Sequence, residues 1–301
     1  MPPFRLGTRG SPLALAQAHI VRDALAAAHG FTAEIVVIRT TGDKVQDRAL
    51  AEIGGKALWT KELDRALLGG EIDCAVHSMK DVETIRPDMI AIAAILPRAD
   101  VRDRLVGAES IDALPQGAVV GTASPRRAAQ LKRLRPDIET VLFRGNVETR
   151  LAKLAAGEAD ATLLAAAGLD RLGRHDVGFE IPTNLMLPAP AQGAVGIEVR
   201  ADDIHALELV AAINDPQTHA CIHAERALLA ALKADCHSPV AALATLEGAI
   251  LTIEAELLSE DGSAHVHGQI EGAPLDHALP AALARDLLDR APPSVRRLFE
   301  G

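Results

Sequence analysis

Four arginines fall within 25 positions of a chain that is acidic overall: Arg126 and Arg127 in GTASPRR, then Arg144 and Arg150 in RGNVETR. The arginine side chain is a planar, permanently charged fork that grips a carboxylate or phosphate through two hydrogen bonds at once. Gly121, Ser124, Pro125 and Gly145 surround them, and such residues belong to turns and helix starts. Ser124 followed by Pro125 is an N-cap with proline at the first helical position. Capping accounts for the serine and the proline. It does not account for two arginines in a first turn, where the helix dipole disfavours cations. The cluster therefore reads as a site for an anion carrying several negative groups.

Other residues carry chemistry of their own. Arg9 and Ser11 stand in GTRGSP, a second Gly-Thr run with Ser before Pro. Lys80 and Asp81 end AVHSMKD, just past an apolar strand; there Asp81 could serve as a catalytic carboxylate and Lys80 as an anion ligand. Their bland reading is a solvated ion pair. Cys236 lies in ADCHSP, between a helix and a proline, and a cysteine beside a histidine suggests an activated nucleophile. Neighbours in a loop usually point apart, which weakens Cys236 and His237 as a dyad. His219 and His223 share a helix face at i, i+4, but Cys221 points elsewhere and no HExxH motif accompanies them. The expectation is that no metal is bound.

The elements that must position these residues follow from pattern. Apolar runs at 4–7, 34–39, 73–77, 90–95, 118–121, 139–142, 161–164 and 194–199 read as strands. Amphipathic stretches at 12–28, 57–68, 125–134 and 147–155 read as helices. Their alternation predicts an α/β fold with a mainly parallel sheet. Residues 40–56, polar and aperiodic, read as a lid. An internal echo pairs GTRGSP with GTASP, and GEID at 70–73 with GEAD at 157–160, which suggests two similar lobes. After the turn signal NDP at 214–216, a helix at 217–233, strands at 249–258 and 264–270 and a final helix predict a small α+β domain.

Composition limits the partners. With 41 acidic against 31 basic residues and a net charge of -10, a phosphate backbone would be repelled. Aromatics make up 2% of the chain, too few for stacking platforms, so nucleic acid is not expected. Three widely spaced cysteines argue against a disulfide framework. No segment reaches the ~18 apolar residues of a membrane span, and residues near the N-terminus lack the apolar core of a signal peptide. A cytoplasmic protein without membrane contact is expected.

Taken together, GTRGSPLALAQA, GGKALWTKEL, AVHSMKD, GTASPRR, RGNVETRL, AAAGLDRL, PAPAQGAVGIEVR and AERALLAALKADCHSPV resemble the porphobilinogen deaminase (hydroxymethylbilane synthase) family, in family order over nearly the whole chain. The resemblance implies two periplasmic-binding-protein-like lobes with an active-site cleft between them, plus a small C-terminal α+β domain. Lobe 1 would comprise residues 1–95 and 194–212, lobe 2 residues 96–193, and the third domain residues 213–301. It also implies a monomer.

By the same resemblance, Cys236 carries a dipyrromethane cofactor in thioether linkage. Four porphobilinogen molecules are condensed onto this primer with loss of ammonia, giving linear hydroxymethylbilane for tetrapyrrole and haem biosynthesis. Each pyrrole bears an acetate and a propionate, which accounts for the arginines, since buried carboxylates need partners. The substrate's ammonium would leave an azafulvenium cation, stabilised by Asp81 while the chain's terminal pyrrole attacks. Lys80, Thr122, Ser124, Arg126, Arg127 and Arg150 match cofactor-binding residues. Arg9, Ser11, Arg144, Arg150 and Arg171 match substrate-binding ones, and Gly54, Gly55 and Lys56 the mobile lid. Pro125 replaces the more usual leucine, Ala123 a common serine, and Asp235-Cys236-His237 the frequent Gly-Cys-Gln. Two other classes compete: a non-catalytic two-lobed anion-binding protein, which would need neither Asp81 nor Cys236, and a cysteine hydrolase, which lacks an orienting partner.

Overall fold

The computed structural model describes residues 3–39, 60–274 and 276–300. The expected lid residues Gly54, Gly55 and Lys56 lie outside them. The chain forms two compact units, one of residues 1–99 and 193–219, the other of residues 100–192 and 220–301.

The first unit is built on a five-stranded sheet ordered β2-β1-β3-β10-β4. Its strands are β1 (Arg5–Arg9), β2 (Glu34–Ile38), β3 (Cys74–Ser78), β4 (Ile90–Ile95) and β10 (Val195–Arg200). Strands β1, β2 and β3 run parallel, and β10 lies antiparallel between β3 and β4. Helix α1 (Pro12–His29) presents Ala18, Val21 and Leu25 to Leu6, Cys74, Val76 and Ile197. Helix α2 (Lys61–Leu68) buries Leu63, Ala66 and Leu67 against Ile72, Ala75 and Ile90 in a separate cluster. Such two-sided burial produces the continuous apolar runs of β3 and β4.

The second unit contains a sheet of the same plan, β7-β6-β8-β5-β9. It comprises β5 (Asp103–Val106), β6 (Val119–Gly121), β7 (Glu139–Val141), β8 (Ala161–Ala165) and β9 (Phe179–Ile181). Again three strands are parallel, and an antiparallel strand, here β5, occupies the fourth place. Helices α3 (Pro125–Leu134), α4 (Val147–Ala155) and α5 (Ala166–Arg171) follow β6, β7 and β8.

The internal echo has a physical basis. In the first half Asp73 accepts the Arg5 backbone N–H at 2.7 Å and returns its own to the Arg5 carbonyl at 2.8 Å. In the second half Asp160 does the same with Val119, at 2.7 and 2.8 Å. The glycines of the Gly-Thr pairs, Gly7 within β1 and Gly121 at the end of β6, lie under bulky neighbours: a Cβ on Gly7 would sit 2.2 Å from Ile72, and one on Gly121 2.3 Å from Phe143.

The same unit holds a three-stranded antiparallel sheet of β11 (Val240–Glu247), β12 (Ile250–Leu258) and β13 (His265–Gly272). Residues of α7 (Pro216–Ala231) and α8 (Ala278–Arg290), including Leu228, Leu283 and Leu287, cover it. Polar ties bind this sheet to its neighbours. Glu256 on β12 accepts from Gln130 at 3.0 Å and pairs with Arg133 at 2.9 Å, both on α3. The buried Glu225 takes the N–H groups of Ala191 and Ala244 at 2.5 and 2.7 Å. Helix α6 (Ile204–Ala211) and the short α9 (Pro293–Arg296) complete the elements named here.

Candidate active site

Parallel strands carry the candidate residues at their C-terminal ends, where open α/β sheets bind ligands. In the first unit Arg9 closes β1, and Ser11 caps α1 by accepting the Ala14 N–H at 3.3 Å. Adjacent β3 ends in a single 3₁₀ turn, Met79–Asp81, which displays Lys80 and Asp81. Two contacts fix this turn. Ser78 accepts from Gln17 of α1 at 2.7 Å, and the Met79 N–H reaches the Ala194 carbonyl at 3.1 Å.

Beneath the turn lies a buried charge network absent from the sequence expectations. Arg86 pairs with Glu198 at 2.8 Å, Glu83 at 2.8 Å and Asp64 at 2.5 Å. Glu83 also accepts from Thr60, and the His77 ring lies 3.1 Å from Glu198. Burial would push the Glu198 carboxyl up, but His77 and Arg86 outweigh it and hold it down at about 2.

In the second unit Thr122 and Ser124 follow β6. Thr122 accepts the Ser124 N–H at 3.2 Å, and Ser124 caps α3 by accepting from Arg127 at 3.4 Å. Arg126 and Arg127 occupy the first turn as expected, but their side chains are buried and turned onto Asp103 of β5, at 2.7 and 2.6 Å. Gln192 donates to the same carboxylate at 2.9 Å. Arg126 further donates to Gln130 and the Leu187 carbonyl, and Arg127 to the Leu163 carbonyl. Burial alone would raise the Asp103 carboxyl; the two guanidinium charges hold it far below the usual carboxylate range. The Nε atoms of Arg126 and Arg127 are buried without an acceptor.

Arg144 is buried after β7, in the turn leading to Asn146, which caps α4 by accepting the Thr149 N–H at 2.9 Å. Arg150 points back along α4, with Nε on the Gly145 carbonyl at 3.0 Å. Arg171 ends α5, and burial pushes its guanidinium below the ordinary value against the pull of Asp170. The second unit thus carries Thr122, Ser124, Arg126, Arg127 and Arg144 just past the ends of β6 and β7, with Arg150 in α4 and Arg171 at the C-terminal end of α5.

Cys236 also belongs to this unit. Its thiol is exposed, whereas Cys74 and Cys221 are buried. The loop differs from the expectation that neighbours point apart. Asp235 folds it into a turn by accepting the His237 N–H at 2.8 Å, so the carboxylate, Sγ and an imidazole nitrogen all lie within 4.8 Å of one another. The alternative metal group is not assembled: His219 bonds Asn214 at 2.9 Å, Cys221 is buried, and His223 packs edge-on against His277.

The donor set suits a covalently tethered polycarboxylate. It offers an exposed thiol for the linkage, a capped helix start, and two buried N–H donors, from Arg126 and Arg127, that lack acceptors. A paired-lobe α/β protein with such a site is of the kind that binds organic anions, and comparison with known proteins narrows the class. Residues 4–208 match "Porphobilinogen deaminase, dipyromethane cofactor binding domain", and residues 219–289 match "Porphobilinogen deaminase, C-terminal domain". The chain is 60% identical to the porphobilinogen deaminase of Sphingopyxis alaskensis over 306 residues, covering 99% of this chain and 96% of that one. It is 53% identical to that of Paracoccus denitrificans over 297 residues, covering 96% and 95%. The chain belongs to the porphobilinogen deaminase family, transferases of tetrapyrrole biosynthesis that use a dipyrromethane cofactor. This membership sets aside the non-catalytic binding protein and the cysteine hydrolase.

Among solved structures, the methionine binding protein MetQ is 12% identical with a TM-score of 0.44, covering 72% of this chain and 91% of that one. A periplasmic substrate-binding protein of an ABC transporter from Coxiella burnetii is 14% identical with a TM-score of 0.42, covering 72% and 94%. No described helix is long and apolar enough to cross a membrane.

Proposed function

We propose that this chain condenses four porphobilinogen molecules head to tail, releasing ammonia and hydroxymethylbilane, with Cys236 as the attachment point of its dipyrromethane. The observation that carries the attachment is the thiol itself, the single exposed one of three. When bound, the cofactor supplies the terminal pyrrole carbon to which incoming units are joined.

The chain's own residues divide the remaining work. Asp81, a carboxylate on a turn braced by Gln17 and Ala194, stabilises the positive charge that develops on the substrate pyrrole as ammonia departs. It then assists removal of the proton lost on coupling. Lys80 beside it holds a substrate or cofactor carboxylate. Arg126 and Arg127 offer their Nε edges and the α3 N-terminus to the resident cofactor, together with Thr122 and Ser124. Their remaining charge is balanced by Asp103. Arg9, Ser11, Arg144, Arg150 and Arg171 receive the acetates and propionates of substrate and growing chain. The order of pieces we adopt is residues 1–95 with 194–212, then 96–193, then 213–301. We further assign the chain to the cytoplasm, on the strength of its three widely spaced cysteines and its family, and, from the family, to a monomeric state.

Intact-mass measurement tests the attachment. Active protein should exceed its sequence mass by two linked pyrrole units, and Cys236→Ser should lack that increment. An active preparation at the sequence mass would remove Cys236 from this role.

A further inference from the structure

We infer that His237 is the base that activates Cys236 for its own loading, with Asp235 fixing the backbone turn that carries both side chains. The inference rests on the reading that Cys236 carries the cofactor, and it concerns the step that makes the thioether.

The loop between α7 and β11 carries three chemically competent groups in succession. Asp235 Oδ1 takes the His237 N–H at 2.8 Å, and Ser238 closes the turn from both sides: its Oγ accepts the Asp235 N–H at 3.2 Å and its N–H reaches the Asp235 carbonyl at 3.1 Å. Consecutive side chains on an extended segment would diverge. This turn instead gathers carboxylate, thiol sulfur and imidazole nitrogen within 4.8 Å of one another. That is the reach of a proton transfer through one water, and catalytic contacts commonly tighten when substrate enters. A thiol is a poor nucleophile until it loses its proton, and an adjacent imidazole is the usual means of removing it. All three residues are exposed, so the sulfur can be approached from solvent.

The chemistry balances without any outside oxidant or reductant. The imidazole takes the Cys236 thiol proton. As the C–N bond of an aminomethyl pyrrole breaks and ammonia departs, the sulfur electron pair forms the S–C bond to the methylene carbon. The imidazolium then passes its proton to the ammonia. One thiol and one alkylammonium become one thioether and one ammonium.

The test uses the full-length apo-protein, produced without porphobilinogen. Two rates are followed by intact mass at neutral pH: alkylation by iodoacetamide, which buried Cys74 and Cys221 resist, and mass gain on mixing with porphobilinogen. His237→Ala should slow both by about tenfold or more, and added imidazole should restore much of the loss. Unchanged rates in His237→Ala would overturn the inference while leaving the attachment site intact. So would slow rates that His237→Gln recovers and imidazole does not, because glutamine can hold the turn but cannot take the proton. If Cys236→Ser still gains the pyrrole mass, the attachment reading itself fails, and the inference with it.

Discussion

At the scale of single residues, the arginine pair and the aspartate opposite it define the second unit's site. Arg126 and Arg127 converge on Asp103, so one buried carboxylate faces two guanidinium charges and leaves one positive charge for a bound anion. A buried pair broken by removing one partner typically costs about 3–5 kcal/mol, because the survivor is left uncompensated. Asp103→Ala should therefore be strongly destabilised, with an early urea midpoint and weak cofactor retention. A midpoint near wild type would show that the guanidiniums find other partners. Asp81 has a different signature. Asp81→Ala should fold and carry the pyrrole mass, yet turn over at least ~100-fold more slowly, the scale of a lost electrostatic stabiliser. Single-turnover assays on mass-verified protein would show it, and near-normal rates would remove Asp81 from the mechanism.

At the scale of elements, the Arg86 and Glu198 network joins α2, β10 and the loop that leaves the Lys80–Asp81 turn. Glu198 titrates at about 2 in the folded chain, below its ordinary 4.5. Its stabilising contribution is therefore complete above about 4.5 and disappears as pH falls through about 2. Denaturation midpoints measured from pH 7 to pH 3 should fall less steeply for Glu198→Gln than for wild type, from a lower starting value. Parallel curves would exclude Glu198 as a source of the acid loss. This network, like the Asp103 pair, was not legible in the sequence. The stretch DRLV at 103–106, charged at two of its four residues, is not among the strands expected from the sequence, yet β5 buries Asp103 and Arg104. Their partners lie too far along the chain for any local pattern to announce them. Ala-rich VAALATLE is likewise not among the expected strands, yet it forms β11, because Leu251, Ile253 and the helices above supply the bulk its alanines lack. What was legible had local causes. Ser-Pro marked the starts of α1 and α3, continuous apolar runs marked β3 and β4, and the repeated GExD marked the aspartates that hold β1 and β6.

At the scale of the whole molecule, the two five-stranded sheets share a plan but not a chain order. The second sheet draws all its strands from residues 103–181, whereas the first waits for β10 at 195–200. Among the described residues β4 pairs only with β10, so about a hundred residues must be made before β4 acquires that neighbour. On a translating ribosome the strands of the second sheet can thus all pair before those of the first, since long-range pairing must await its partner strand. Nascent chains arrested after residue 192 has left the exit tunnel should resist protease over residues 100–192 while remaining cleavable between β4 and residue 99. Extending the emerged chain past residue 212 should protect both. The returning strand thus makes the sheet begun first close after the sheet begun second, and it leaves the apolar β4 exposed through that interval of synthesis.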